Sequence, residues 1–228
     1  MNLEQLRQNQ HMIERVINSH KNLGQVATLV AVTKTVGTEM MEALYENGIR
    51  HFGENRPNVF VEKYRQLTHL DKAVWHYIGN LQTRQVKDVI NEIDYLHSLD
   101  RPSLAKEIQK RAQSVVNCFV QVNVSGEASK SGFKPEEVVE WIESIADYHH
   151  IRVVGLMTMA PINATEAALR QYFGELKQLQ TQIEKMGWLH APCTELSMGM
   201  SQDYEIAVEE GATFVRVGTA FFEGVYDE

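Results

Sequence analysis

Cysteine is scarce in this chain of 228 residues: only Cys118 and Cys193 occur, far apart and each beside an apolar run. Two isolated thiols make no disulfide framework. They read as buried and reduced, and a cytoplasmic location is expected. Positive charge is also short, since 22 Lys and Arg face 30 Asp and Glu for a net charge of −8. Neither nucleic acid nor an anionic membrane is therefore an expected partner. No apolar run approaches the roughly 20 residues of a membrane-spanning helix. The N-terminus, Met1 to Gln5, has no basic segment leading into an apolar core, so no signal peptide is expected. Missing motifs remove further classes. There is no H-E-x-x-H, Ser197 is not in a G-x-S-x-G elbow, and no G-x-G-x-x-G follows the first strand. His51, His76 and His97 fall on strands without a second ligand at metal-site spacing, so no metal site is expected. No Ser/Pro-rich linker or low-complexity tract divides the chain, and one domain over residues 1–228 is expected.

What the chain does contain is alternation. The stretch Leu29-Val30-Ala31-Val32-Thr33-Lys34 carries no charge before its lysine and is rich in β-branched residues. It reads as a strand buried on both faces, as in a parallel sheet. Comparable runs follow at residues 49–53, 74–78, 94–99, 118–124, 153–157, 194–197 and 213–217, each trailed by a helical pattern. The helices are expected near residues 38–47, 57–67, 83–90, 102–113, 135–148, 165–186 and 201–210, with a short last one at Ala220. Eight strand–helix units are what a closed (β/α)8 barrel needs in roughly 200–250 residues. A helix over residues 3–20 precedes the first strand. The expected fold is thus a single (β/α)8 TIM-type barrel with an extra N-terminal helix; an open doubly wound sheet is the alternative.

In such a barrel the chemistry lies at the C-terminal ends of the strands, and a phosphate commonly sits between the loops after strands seven and eight. Alternate strand residues share a face, so Val30, Val32 and Lys34 point together into the barrel. A lysine emerging at the barrel mouth among apolar neighbours loses water, which makes it a competent amine nucleophile. A solvated lysine closing a strand has the same local pattern, so the surroundings must decide. After strand seven, Ser197-Met198-Gly199-Met200-Ser201 turns on a glycine and ends on a serine placed to cap the next helix, where free N–H groups favour an anion. After strand eight, Gly218 lets a ligand approach the backbone and Thr219 adds a hydroxyl. Arg216 shares a face with Phe214 and should look inward, where it needs an acceptor. An inward lysine, an inward arginine and two phosphate loops point to an aldehyde cofactor that bears a phosphate.

Several stretches then match one family almost end to end: Ala31-Val32-Thr33-Lys34, His51-Phe52-Gly53-Glu54-Asn55, Trp75 to Gln82, Val122-Asn123 with Lys130-Ser131-Gly132, Gly155-Leu156-Met157, Leu196 to Asp203, and Val215-Arg216-Val217-Gly218. On these the chain closely resembles the pyridoxal phosphate homeostasis proteins, also called the YggS/PROSC family. The resemblance implies the barrel of the alanine racemase N-terminal domain (fold type III of pyridoxal-phosphate proteins). It implies pyridoxal 5'-phosphate (PLP) carried covalently by Lys34 as Schiff-base lysine. Ser201, Gly218 and Thr219 would meet the phosphate and Arg216 the pyridine nitrogen, with Asn55 and the segment from His76 to Gln82 lining the surroundings. Gln85, flanked by Arg84 and Lys87, stands where family members often have lysine.

Two functions follow from the resemblance. One is a PLP carrier without turnover, a monomer that holds or delivers the cofactor, with apo PLP-dependent enzymes as recipients, and so maintains vitamin B6 and amino-acid balance. The other is a racemase of the alanine racemase type. Such racemases add a β domain that supplies a tyrosine as second base, whereas this sequence stops at Glu228, just past unit eight. Racemisation needs two bases on opposite faces of the substrate carbon, and only Lys34 can be nominated, so the carrier is expected and no residue is assigned to catalysis.

Overall fold

The computed structural model describes residues 1–128 and 131–226. Lys130, in one of the matching stretches, lies outside them, as do the last two residues. Eight parallel strands close into a barrel in sequence order, β1 pairing with both β2 and β8. They are β1 (Thr28–Val32), β2 (His51–Glu54), β3 (Val74–Tyr77), β4 (Tyr95–Leu99), β5 (Val116–Gln121), β6 (Ile151–Met157), β7 (Glu195–Ser197) and β8 (Phe214–Val217). Outside run α2 (Thr38–Glu46), α3 (Pro57–Gln66), α4 (Val86–Val89), α5 (Pro102–Arg111), α6 (Pro135–Ser144), α7 (Glu166–Glu184), α8 (Tyr204–Glu209) and α9 (Thr219–Phe222). The extra helix α1 (Leu3–His20) lies against α8 and α9, and Asn9 ties it to the carbonyls of Phe221 and Glu223.

Local chemistry sets the helix starts. Asn2 Oδ1 accepts from Gln5 N at 3.0 Å to cap α1, and Thr165 Oγ1 accepts from Ala168 N at 3.2 Å to cap α7. Pro57, Pro102 and Pro135 sit in the first turn of α3, α5 and α6, where the missing N–H costs nothing. The core has two compartments. Most apolar side chains lie between strands and helices, while Val30, Phe119, Met157 and Phe214 form a smaller cluster inside the barrel.

Several boundaries differ from the sequence expectation, among them the strand 153–157, which starts at Ile151, and the helix 135–148, which ends at Ser144; four others have a local cause. β1 stops at Val32 because the Thr33 carbonyl accepts from Val36 N at 3.1 Å and the chain turns. The expected strand 118–124 starts earlier and ends at Gln121, since Phe133 folds back to bridge Val122. The expected helix 83–90 is a 3-10 turn over Thr83–Gln85 followed by the short α4. The helix expected from Ser201 begins only at Tyr204, because Asp203 folds its carboxylate back onto Met200 N at 2.7 Å.

Candidate functional site

The parallel strands bring all their C-terminal ends to one mouth. Arg216 enters it from β8, its side chain inside the barrel and 3% exposed. One guanidinium nitrogen donates to Ser197 Oγ and another to the Thr158 carbonyl at 3.0 Å. Burial pulls the guanidinium down to about 10, against a smaller opposing pull from the Asp203 carboxylate. The inward orientation expected from alternation with Phe214 is found, and the required acceptors are a hydroxyl and a backbone carbonyl.

Ser201 does not cap α8. Its Oγ instead accepts from Gly218 N and Ala220 N, both at 3.3 Å, and so joins the loop after β7 to the loop after β8. Two backbone donors thus converge on one oxygen, an arrangement of the kind that can receive an anion. Gly199 makes the approach possible: its φ is 102°, and a Cβ there would fall 2.7 Å from that of Ala207. Thr219 is exposed at the rim. Gly218 packs on β1 so closely that a Cβ would lie 3.2 Å from that of Val32. The loop carrying Lys34, two residues beyond Val32, is therefore the immediate neighbour of Gly218 and Thr219.

The desolvation expected for Lys34 is not found. Its strand ends two residues earlier, and the side chain is exposed beyond the barrel wall. The preceding residue, however, is held firmly. Thr33 is fully buried, its hydroxyl donates to Glu54, and its carbonyl accepts from Lys63 Nζ. Asn55 is half-buried in the loop after β2, its carbonyl accepting from Tyr77 Oη at 3.1 Å. Beside these loops a cavity of about 610 Å³ opens over the ends of β3 to β7, lined among others by Asn80, Asp100, Gln121 and Met200. It borders the loop of Ser201 and offers mostly amide and apolar contacts.

His76 corrects another expectation. It is fully buried inside the barrel, with Nε2 2.8 Å from His51 Nδ1 and Nδ1 2.8 Å from His97 Nε2. Both nitrogens are taken by other histidines, so it does not itself line the mouth. His97 Nδ1 continues to Ser197 Oγ at 2.7 Å. Sequence reading missed Ser197, His97 and the Glu54–Lys63 pair. For His97 and Ser197 the available signal was a polar residue at an inward position of an apolar strand; Glu54 and Lys63 pair across the strand–helix layer, from β2 to α3.

Comparison with known proteins bears on the family and the fold. Residues 1–225 match the family model of the alanine racemase N-terminal domain. The pyridoxal phosphate homeostasis protein of Aquifex aeolicus (strain VF5) is 40% identical over 217 residues, 92% of this chain and 94% of that protein. That of Escherichia coli (strain K12) is 32% identical over 200 residues, 86% and 84% of the two chains. The chain belongs to the pyridoxal phosphate homeostasis protein family. Among solved structures, PipY of Synechococcus elongatus with PLP bound superposes with a TM-score of 0.84 at 28% identity, over 95% of this chain and 99% of that one. Alanine racemase of Corynebacterium glutamicum shares the fold at 16% identity and a TM-score of 0.75, over 97% of this chain and 62% of the racemase. Among the described residues no helix is long and apolar enough to cross a membrane.

Proposed function

We propose that this protein binds PLP at the barrel mouth, attached to Lys34, and holds or delivers it without catalytic turnover. The observation that carries the reading is that three groups follow or end the adjacent strands β7, β8 and β1. Lys34 is an exposed amine beyond β1, Gly218 N and Ala220 N converge on Ser201, and Arg216 is a buried donor beneath them. This donor set fits PLP: a primary amine for an aldehyde, backbone and hydroxyl donors for a phosphate, and a donor facing an aromatic nitrogen. Relatives named for PLP homeostasis, and a similar structure with PLP bound, support it.

PLP supplies an aldehyde that reacts reversibly with primary amines. The residues here would do the holding. Ser201 and the two N–H groups would hold the phosphate through charge-assisted hydrogen bonds. Arg216 has donors only, so it would meet an unprotonated ring nitrogen and favour binding over electron withdrawal. Lys34, open to solvent, would hold the aldehyde carbon where an amine from outside can reach it. That access suits delivery to apo PLP-dependent enzymes, with a net effect on vitamin B6 and amino-acid balance. The test mixes loaded protein with an excess of an apo PLP-dependent enzyme. Activity gained by the enzyme in step with loss of the protein's visible band supports delivery. A band that persists beside an inactive enzyme contradicts it.

A further inference from the structure

The barrel interior holds a continuous polar chain where (β/α)8 barrels are usually filled with branched apolar side chains. It begins at half-buried His51, at the start of β2 and so on the barrel floor, and passes through His76, His97 and Ser197 to Arg216. Apart from His51, each member is at most 3% exposed. Aromatic rings fix the two middle imidazoles. Tyr95 stacks on His76 at 4.7 Å with planes 7° apart, and Phe119 stacks on His97 at 4.4 Å. Such burial holds both imidazoles neutral, their protonation pushed well below the ordinary range.

The directions of these bonds follow from counting protons. A guanidinium can only donate, so Ser197 Oγ accepts from Arg216. The serine hydroxyl has one proton, and among the described residues the acceptor it meets is His97 Nδ1. His97 must then carry its proton on Nε2 and donate to His76 Nδ1. His76 likewise donates from Nε2 to His51 Nδ1, leaving His51 with its proton on the outward nitrogen. Every donor points from the mouth to the floor. A hydroxyl that donates becomes a better acceptor, so each link strengthens the grip of Ser197 on Arg216.

We infer that His97 and His76 are positioning residues for Arg216, acting through Ser197 in a chain of fixed Nε2–H tautomers. The inference rests on the proposed PLP site only for what Arg216 touches. It assigns to residues of the barrel interior, on β3 and β4, control over how firmly the donor is aimed at a bound aromatic nitrogen.

Two measurements test it. In the unaltered protein without PLP, 15N-resolved NMR of the histidine rings should show Nε2–H tautomers at His51, His76 and His97. Ring protons of the latter two should exchange slowly with solvent. An Nδ1–H tautomer or a doubly protonated ring at His97 at neutral pH would overturn the assignment. The second measurement is PLP affinity. His97→Phe keeps the stacking on Phe119 but removes the acceptor, and about a tenfold loss is expected. His97→Asn, whose amide oxygen can take the place of Nδ1, should restore most of it. In a Ser197→Ala background His97→Phe should cost nothing more, because the link is already cut. Equal losses for Phe and Asn, or full additivity with Ser197→Ala, would show that His97 does not act through Ser197. If the unaltered protein takes up no PLP, the proposed function fails while the tautomer measurement still decides this inference.

Discussion

Lys63 Nζ donates to the Thr33 carbonyl at 2.7 Å, so a buried ammonium grips the peptide bond just before Lys34. The same nitrogen lies 2.9 and 3.0 Å from the two carboxylate oxygens of Glu54, a residue with no exposed surface. Removing one partner of such a pair strands the other charge and costs about 3–5 kcal/mol, whereas neutralising both is often mild. Lys63→Met alone is expected to lower unfolding stability in urea by that amount. Adding Glu54→Gln should recover most of the loss. Fully additive losses would mean that the two residues do not act as a pair.

The histidine chain gives stability a pH dependence of definite sign. Burial lowers the protonation of His76 and His97 in the folded state, while in the unfolded chain they titrate near 6.5. Below that value the unfolded state binds more protons, so stability present above pH 6.5 is lost as pH falls from there. The slope approaches about 1.4 kcal/mol per pH unit for each histidine. Denaturant melts between pH 5.5 and 8 should show a plateau at the alkaline end and a steep fall at the acid end. A flat profile would mean that the imidazoles can charge in place.

A phosphate site at the loops after β7 and β8, as proposed, would distinguish the vitamers. Charge-assisted hydrogen bonds contribute roughly 1.5–3 kcal/mol each, and several donors are present. Pyridoxal is therefore expected to bind at least about tenfold more weakly than PLP. Ser201→Ala should have a partial effect, since Gly218 N and Ala220 N remain. Titration of both vitamers by fluorescence is the measurement. Equal affinities would remove the phosphate from this site.

A donor-only arginine at the ring nitrogen weakens the electron sink that chemistry at an amino-acid α-carbon requires. Loaded protein given L- or D-alanine in deuterated buffer is expected to leave the α-proton signal unchanged in NMR. Loss of that signal at enzymatic rates, absent in Lys34→Ala, would establish a racemase.

The strands were legible in the sequence because a parallel sheet covered on both faces needs unbroken apolar runs such as Leu29 to Val32. Period-two alternation also gave the inward aim of Arg216 beside Phe214. What escaped depends on partners distant in sequence. His97 and Ser197 are 100 residues apart, and no local pattern pairs them. Ser201 reads as a helix cap until Gly218 and Ala220, on another loop, claim its oxygen. Lys34 reads as the end of a strand until Val36 and Lys63 take the Thr33 carbonyl and turn the chain.

Lys34 is the amine proposed to carry PLP. The direct measurement is borohydride reduction of the loaded protein followed by peptide mass mapping, with Lys34→Ala in parallel. The expected result is a pyridoxyl group on the peptide containing Lys34, and a folded Lys34→Ala protein that retains no label. A pyridoxyl group fixed mainly on another lysine, or equal labelling of Lys34→Ala, would contradict it.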